Sequence, residues 1–137
     1  MSAVLTPAVT IETFEAATID AQAFDHEAHV YVAWLYLERW PLDEATRRFC
    51  TALRRFTVKV GAAAKYHETI SWFFMVQVNQ RRAAMQQPTW FVFRHDNADL
   101  IDNAGALLNR YYSKELLASS LARQHFLLPD KLATATT

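Results

Sequence analysis

Apolar residues recur at spacings of three and four along most of this chain, which is the period of an α-helix. The first long stretch is predicted to begin between Asp20 and Asp25 and to end at Trp40, because Pro41 cannot continue a helix. Residues 30–37 are apolar on nearly every side of this helix. A helix of that kind is expected at the centre of its domain or under a partner.

Two further long helices follow. The second opens at Pro41, with Asp43 as its expected cap, and stops at Gly61. The third is predicted over Lys65–Gln87, because Pro88 ends it. The buried stripe of the second helix consists of Ala45, Phe49, Ala52, Phe56 and Val60.

The rest of the chain is predicted as short helices and tails. Three short helices are expected after Pro88: Thr89 to Phe93, Asn97 to Tyr111 and Ser113 to Leu121. Residues 1–18 and 130–137 lack a clear period and are expected to form irregular tails. The pattern therefore predicts that residues 1–137 form a single all-α domain, a bundle of three long helices with two or three short ones.

The amino-acid composition supports the all-α class and indicates which kinds of partner to expect. Hydrophobic residues make up 52% of the 137 residues, and only two glycines are present, which disfavours a turn-rich sheet protein. Fourteen basic residues balance fourteen acidic ones, so we expect no binding to nucleic acid. The wide apolar surfaces of two long helices favour a homodimer.

The expected location is the cytoplasm. Cys50 is the only cysteine, so no intramolecular disulfide can form. The first residues do not read as a signal peptide. The apolar run 30–37 is shorter than the roughly 20 residues that a membrane span needs, so we expect no membrane partner.

Three histidines open two of the apolar segments and form the main candidate site. His26 and His29 lie three residues apart, so they project from one helical face. His67 opens the third long helix and is expected to reach the same place. Three imidazoles leave coordination positions open, as in catalytic metal sites, and they suit zinc, iron, nickel or copper. The predicted cofactor is therefore a divalent transition metal held by these histidines.

The neighbours of His67 are candidates for catalysis. Lys65, Tyr66 and Glu68 could act as anion anchor, proton donor or base. Glu68 is not expected to bind the same ion as His67, because adjacent helical residues diverge. Two other readings of the histidines stay open: a metal-free pocket for acid–base chemistry or ligand binding, and hydrogen-bonded histidines with a purely structural role.

Four short motifs also resemble those of a group of small all-helical proteins for which we know of no activity. They are Phe24-Asp-His-Glu-Ala-His, Ala33-Trp-Leu-Tyr-Leu, Lys65-Tyr-His-Glu-Thr and Leu128-Pro-Asp. The resemblance covers most of the chain from Phe24 to Asp130. It implies that His26, His29 and residues 65–67 belong to one unit, and it implies no mechanism.

Together these features give alternative functional hypotheses. The first is a small metal-dependent enzyme that acts on a small molecule, with hydrolysis and oxygen-dependent chemistry both open. The others are a non-catalytic small-molecule-binding protein and an interaction protein that pairs with a second copy. The sequence leaves open whether the protein is an enzyme.

Overall fold

The structure, a computed structural model, describes residues 9–131, and the predictions made for residues 1–8 and 132–137 lie outside that range. Between residues 9 and 131 the chain is helical and contains no β-strand, which confirms the predicted all-α class. The helices are α1 (Ile11–Glu15), α2 (His26–Arg39), α3 (Leu42–Lys59), α4 (Glu68–Ala83), α5 (Trp90–Asp96), α6 (Ala98–Asp102), α7 (Ala104–Asn109), α8 (Lys114–Ala118) and α9 (Ser120–Gln124). A single 3-10 turn, Ala63–Lys65, connects α3 to α4.

The helices α2, α3 and α4 pack against one another in all three pairs. The N-terminus of α2 is capped by Asp25, whose carboxylate accepts a hydrogen bond of 2.8 Å from the amide of Ala28. It ends at Arg39, because Trp40 is extended and a proline follows. Its buried residues occupy most of its circumference, and Glu27, Tyr31 and Glu38 form a partly exposed strip. The buried residues are Ala28, Val30, Val32, Ala33, Trp34, Tyr36 and Leu37.

The ends of the other two long helices differ in detail from the prediction. Asp43 does not cap α3, because the helix already begins at Leu42 and Asp43 lies inside its first turn. The helix α4 begins at Glu68 and not at Lys65, since Lys65 belongs to the 3-10 turn and Tyr66 is extended.

The segment before α2 is more ordered than the irregular arm predicted from the sequence. Residues 11–15 form α1, which is held by a capping box between Thr10 and Thr13. Phe14 has no exposed surface and lies in the main core. The prediction of an irregular segment is therefore wrong for these residues.

The C-terminal part consists of shorter helices than expected. The stretch predicted from Asn97 to Tyr111 is divided into α6 and α7, and the stretch after Ser113 is divided at Ser119, which is extended and caps α9. Thr69 of α4 anchors this part, because its hydroxyl lies 2.7 Å from the carbonyl oxygen of Ala122. The start of α4 is thereby tied to the end of the chain.

A helix that crosses a bilayer needs about 20 mostly apolar residues. Between residues 9 and 131, every helix is too short or too polar to cross a membrane.

Candidate functional site

A cavity of about 550 Å³ lies beside the start of α2, the C-terminal half of α3 and the start of α4. Its apolar wall is formed by Phe24, Leu53, Phe56, Val60 and Ile70. Its polar lining is formed by His29, Thr57, Lys65, Tyr66, His67 and Ser71. Four of the six residues proposed for the site from the sequence thus meet at one cavity, whereas His26 and Glu68 do not line it.

The turn between α3 and α4 places three of these residues. Gly61 follows the end of α3 with a φ of +74°, a conformation that glycine adopts readily and other residues rarely do. The 3-10 turn then reverses the chain and delivers Lys65, Tyr66 and His67 to the cavity. The motif around His67 is therefore a connection between two helices, not the interior of one.

His29 offers the cavity an uncommitted imidazole. Its ring packs against Phe24 and Phe49, with centroid distances of 5.6 and 5.2 Å. No hydrogen-bond partner for it is found within residues 9–131. Burial, and to a smaller extent the charge that His26 can carry, lowers the pKa of His29 to about 3. This imidazole is neutral near pH 7 and can still donate or accept a hydrogen bond.

His67 has a structural task at the start of α4. It is buried, and its Nδ1 accepts a hydrogen bond of 3.2 Å from the amide of Ile70, which makes it the N-cap of the helix. Because Nδ1 accepts, Nε2 carries the proton and donates it to the carbonyl oxygen of Leu117 at 2.8 Å. Both ring nitrogens are thus engaged with the main chain.

We expect His67→Ala to lower the free energy of unfolding by about 1–3 kcal/mol, because the variant loses a helix cap and a second hydrogen bond. His67→Asn should lose less, since asparagine is a favoured N-cap. Urea denaturation would measure both variants, with His95→Ala as an exposed control that changes stability by less than about 0.5 kcal/mol. Equal losses for the alanine and asparagine variants would show that the cap is not the contribution of His67.

His26 lies beside His29, but its side chain is hydrogen-bonded to the main chain of α6. The ring centroids of the two histidines are 6.2 Å apart. Nε2 of His26 lies 3.1 Å from the carbonyl oxygen of Leu100, so it is this nitrogen that donates a proton. Across the described part of the chain, no three or more His, Cys, Asp or Glu side chains are arranged to hold a metal ion.

Glu68 is engaged in a network behind the cavity wall. Its carboxylate accepts hydrogen bonds from the hydroxyl of Tyr66, from Arg54 at 3.1 Å and from the indole of Trp72 at 3.1 Å. The guanidinium of Arg54 also lies 5.3 Å from the centre of the Tyr66 ring. These bonds fix the position of Tyr66, so Glu68 acts on the cavity through Tyr66.

Burial is the main cause of the altered acidity of this network. It raises the pKa of Tyr66 above its ordinary value, with further contributions from Cys50 and Glu68. It also raises the pKa of the Cys50 thiol to about 11, so the thiol is protonated near pH 7. Sequence reasoning missed the interaction between Cys50 and Tyr66, because Cys50 lies on α3 and Tyr66 in the extended connection to α4, and no spacing along the chain signals their proximity.

The cavity therefore combines an apolar wall with a neutral imidazole and an exposed lysine at its rim. Such a combination can enclose an apolar group and bind a polar one. Comparison with known proteins identifies no relative: no family model matches the chain, and no curated protein or solved structure is significantly similar to it.

Proposed function

We propose that this protein binds a small molecule in the cavity between α2, α3 and α4. The ligand places an apolar body against Phe24, Phe56 and Ile70 and a hydrogen-bonding group within reach of His29. The supporting observation is that residues 53–71, the segment before α2 and His29 of α2 border an open cavity of about 550 Å³ lined by both apolar and polar side chains. A volume of this size is typical of small-molecule sites.

The unpartnered imidazole of His29 adds to this argument. Neither ring nitrogen of His29 is fully buried, so solvent can reach the imidazole, and a ligand that displaces this solvent can supply the hydrogen bond instead. The other polar groups at the cavity differ from it, because the hydroxyls of Thr57 and Ser71 donate to main-chain carbonyls at 2.9 and 2.8 Å. His29 is therefore the expected point of polar recognition.

We also propose that α2, α3 and α4, with 14, 18 and 16 residues, form the three-helix bundle predicted from the sequence. In this bundle the cavity lies at the end where α2 and α4 both begin. Ligand sites in bundles commonly occur between facing helices.

Metal-dependent catalysis stays a prediction of the sequence. A metal held jointly by the three candidate histidines could be bound by Nδ1 of His26 while its Nε2 keeps the carbonyl oxygen of Leu100. Nδ1 of His67, in contrast, would have to give up the hydrogen bond from the amide of Ile70 that caps α4. Elemental analysis of the purified protein would test this hypothesis. Stoichiometric metal that is lost from a His29→Gln variant would favour it over simple ligand binding.

Self-association and a cytoplasmic location also stay predictions. Phe91 and Val92 of α5 are exposed by 70% and 50%, which provides apolar surface for contact with another copy. Light scattering across a range of concentrations would test this, and ligand binding does not depend on its result.

The proposed function is tested by titrating the protein with 4-phenylbutan-1-ol, an uncharged probe with an aromatic body, and recording two-dimensional amide NMR spectra. We expect the largest shifts at residues 21–29 and 53–71. Ala21 is exposed and lines the cavity, so Ala21→Trp should obstruct the cavity and abolish these shifts without disturbing the core.

The matched control is Ala106→Trp, which places the same side chain at an exposed position of α7 away from the cavity. This variant should bind the probe as the unmodified protein does. Shifts elsewhere in the protein, or equal binding by the Ala21→Trp variant, would contradict the proposed function.

A further inference from the structure

The charge of the cavity lining indicates which charge a ligand should carry. The lining contains no aspartate, glutamate or arginine among the residues described, and Lys65 is its one permanent charge. His29 is neutral near pH 7, because its pKa is lowered to about 3. His67 is a neutral tautomer, since one ring nitrogen accepts a hydrogen bond and the other donates one. The rim of the cavity is therefore positively charged.

Lys65 is not neutralised by a neighbouring carboxylate. It forms no ion pair with any residue between 9 and 131. The acid nearest to it in sequence, Glu68, is already bound to Tyr66, Arg54 and Trp72 behind the wall. An anion that approaches Lys65 consequently meets an available cation.

The other side-chain donors of the lining already have acceptors within the protein. The hydroxyl of Tyr66 donates to Glu68, and Nε2 of His67 donates to the carbonyl oxygen of Leu117. Thr57 and Ser71 donate to main-chain carbonyls. Lys65 and His29 are left as the donors that a ligand can use, on a lining whose remainder is largely apolar.

We infer that the ligand is a small amphipathic anion, a monocarboxylic acid with an aromatic or branched apolar body, whose carboxylate is bound by Lys65 and accepts a hydrogen bond from the neutral imidazole of His29. This inference rests on the proposed function and adds the ligand's charge to it. The apolar body lies against Phe24, Phe56 and Ile70. The ammonium group supplies a charge-assisted hydrogen bond to the carboxylate.

The test compares three probes that share one body: 4-phenylbutanoate, 4-phenylbutan-1-ol and 4-phenylbutan-1-amine. Dissociation constants would be measured by NMR titration at low and high salt. We expect the acid to bind about tenfold more tightly than the alcohol, a ratio that corresponds to about 1.4 kcal/mol. The amine should bind most weakly, and added salt should weaken only the acid, because it screens the interaction at the exposed rim.

Variants of Lys65 separate its charge from its bulk. Lys65→Gln should bring the acid to the affinity of the alcohol, and Lys65→Arg should retain the preference. Lys114→Gln removes one positive charge from an exposed position on α8 and should leave the preference unchanged. If the alcohol or the amine binds as tightly as the acid, or if Lys65→Gln keeps the preference, the inference is overturned while the proposed function stands. Failure of all three probes to bind would overturn both.

Discussion

Replacing Phe14 by alanine should lower the free energy of unfolding by about 3–5 kcal/mol. The ring is completely buried although it comes from a helix of only five residues. It joins the N-terminal segment to α2, α3 and the cavity wall through ring contacts with Phe24, Tyr36, Phe49 and Phe56. The substitution leaves a void among these rings, and a void adds to the lost burial of apolar surface.

Urea denaturation followed by circular dichroism would measure this loss. Phe91→Ala is the matched control, because Phe91 is 70% exposed and the same truncation there should cost less than about 0.5 kcal/mol. Similar midpoints for the Phe14→Ala variant and the unmodified protein would mean that α1 does not belong to the core.

The second large effect concerns acid stability. The pKa of His29 is about 3 in the folded protein and has an ordinary value of 6.5. Between these values the unfolded chain binds a proton that the folded chain does not. Stability contributed by the neutral imidazole is therefore complete above pH 6.5 and is lost as the pH falls towards 3.

This contribution has a slope of at most about 1.4 kcal/mol per pH unit. We expect the unmodified protein to lose stability between pH 7 and pH 4.5 more steeply than His29→Gln, whose side chain does not titrate. Urea denaturation at several pH values would give both curves, and carboxylates affect the two proteins alike. Parallel curves would show that His29 titrates normally in the folded state.

The long helices were predictable because their signals are local. Pro41 limits α2 from one side, and the apolar run 30–37 requires burial wherever the helix is placed. The position of Thr89 before an apolar segment likewise predicts that it caps α5. In the structure its side chain accepts a hydrogen bond from the amide of Val92. Such features depend on a few consecutive residues and need no knowledge of the tertiary structure.

The helix α1 could not be predicted in the same way. Five residues are too few to show a helical period, and a helix that short is not stable alone in water. Its capping box uses threonine at both positions, not the more recognisable pairing with glutamate or glutamine. What holds it is the burial of Ile11 and Phe14 by α2 and α3, which is a tertiary effect.

The candidate site was predictable only as a set of residues. His29 and residues 65–67, which the sequence grouped with His26, line one cavity, whereas His26 does not line it. The chemical state of each imidazole depends on distant parts of the chain. His26 donates to residue 100 and His67 donates to residue 117, and neither partner offers a side-chain signal.

The bond between His67 and the carbonyl of Leu117 also has an evolutionary consequence. A main-chain acceptor is present whichever amino acid occupies position 117, so a substitution there need not be answered by a change at position 67. The two positions are then expected to vary independently, despite a direct hydrogen bond across 50 residues of sequence. Contact inference from correlated substitutions should therefore fail to detect the link that ties the rim of the cavity to the C-terminal helices.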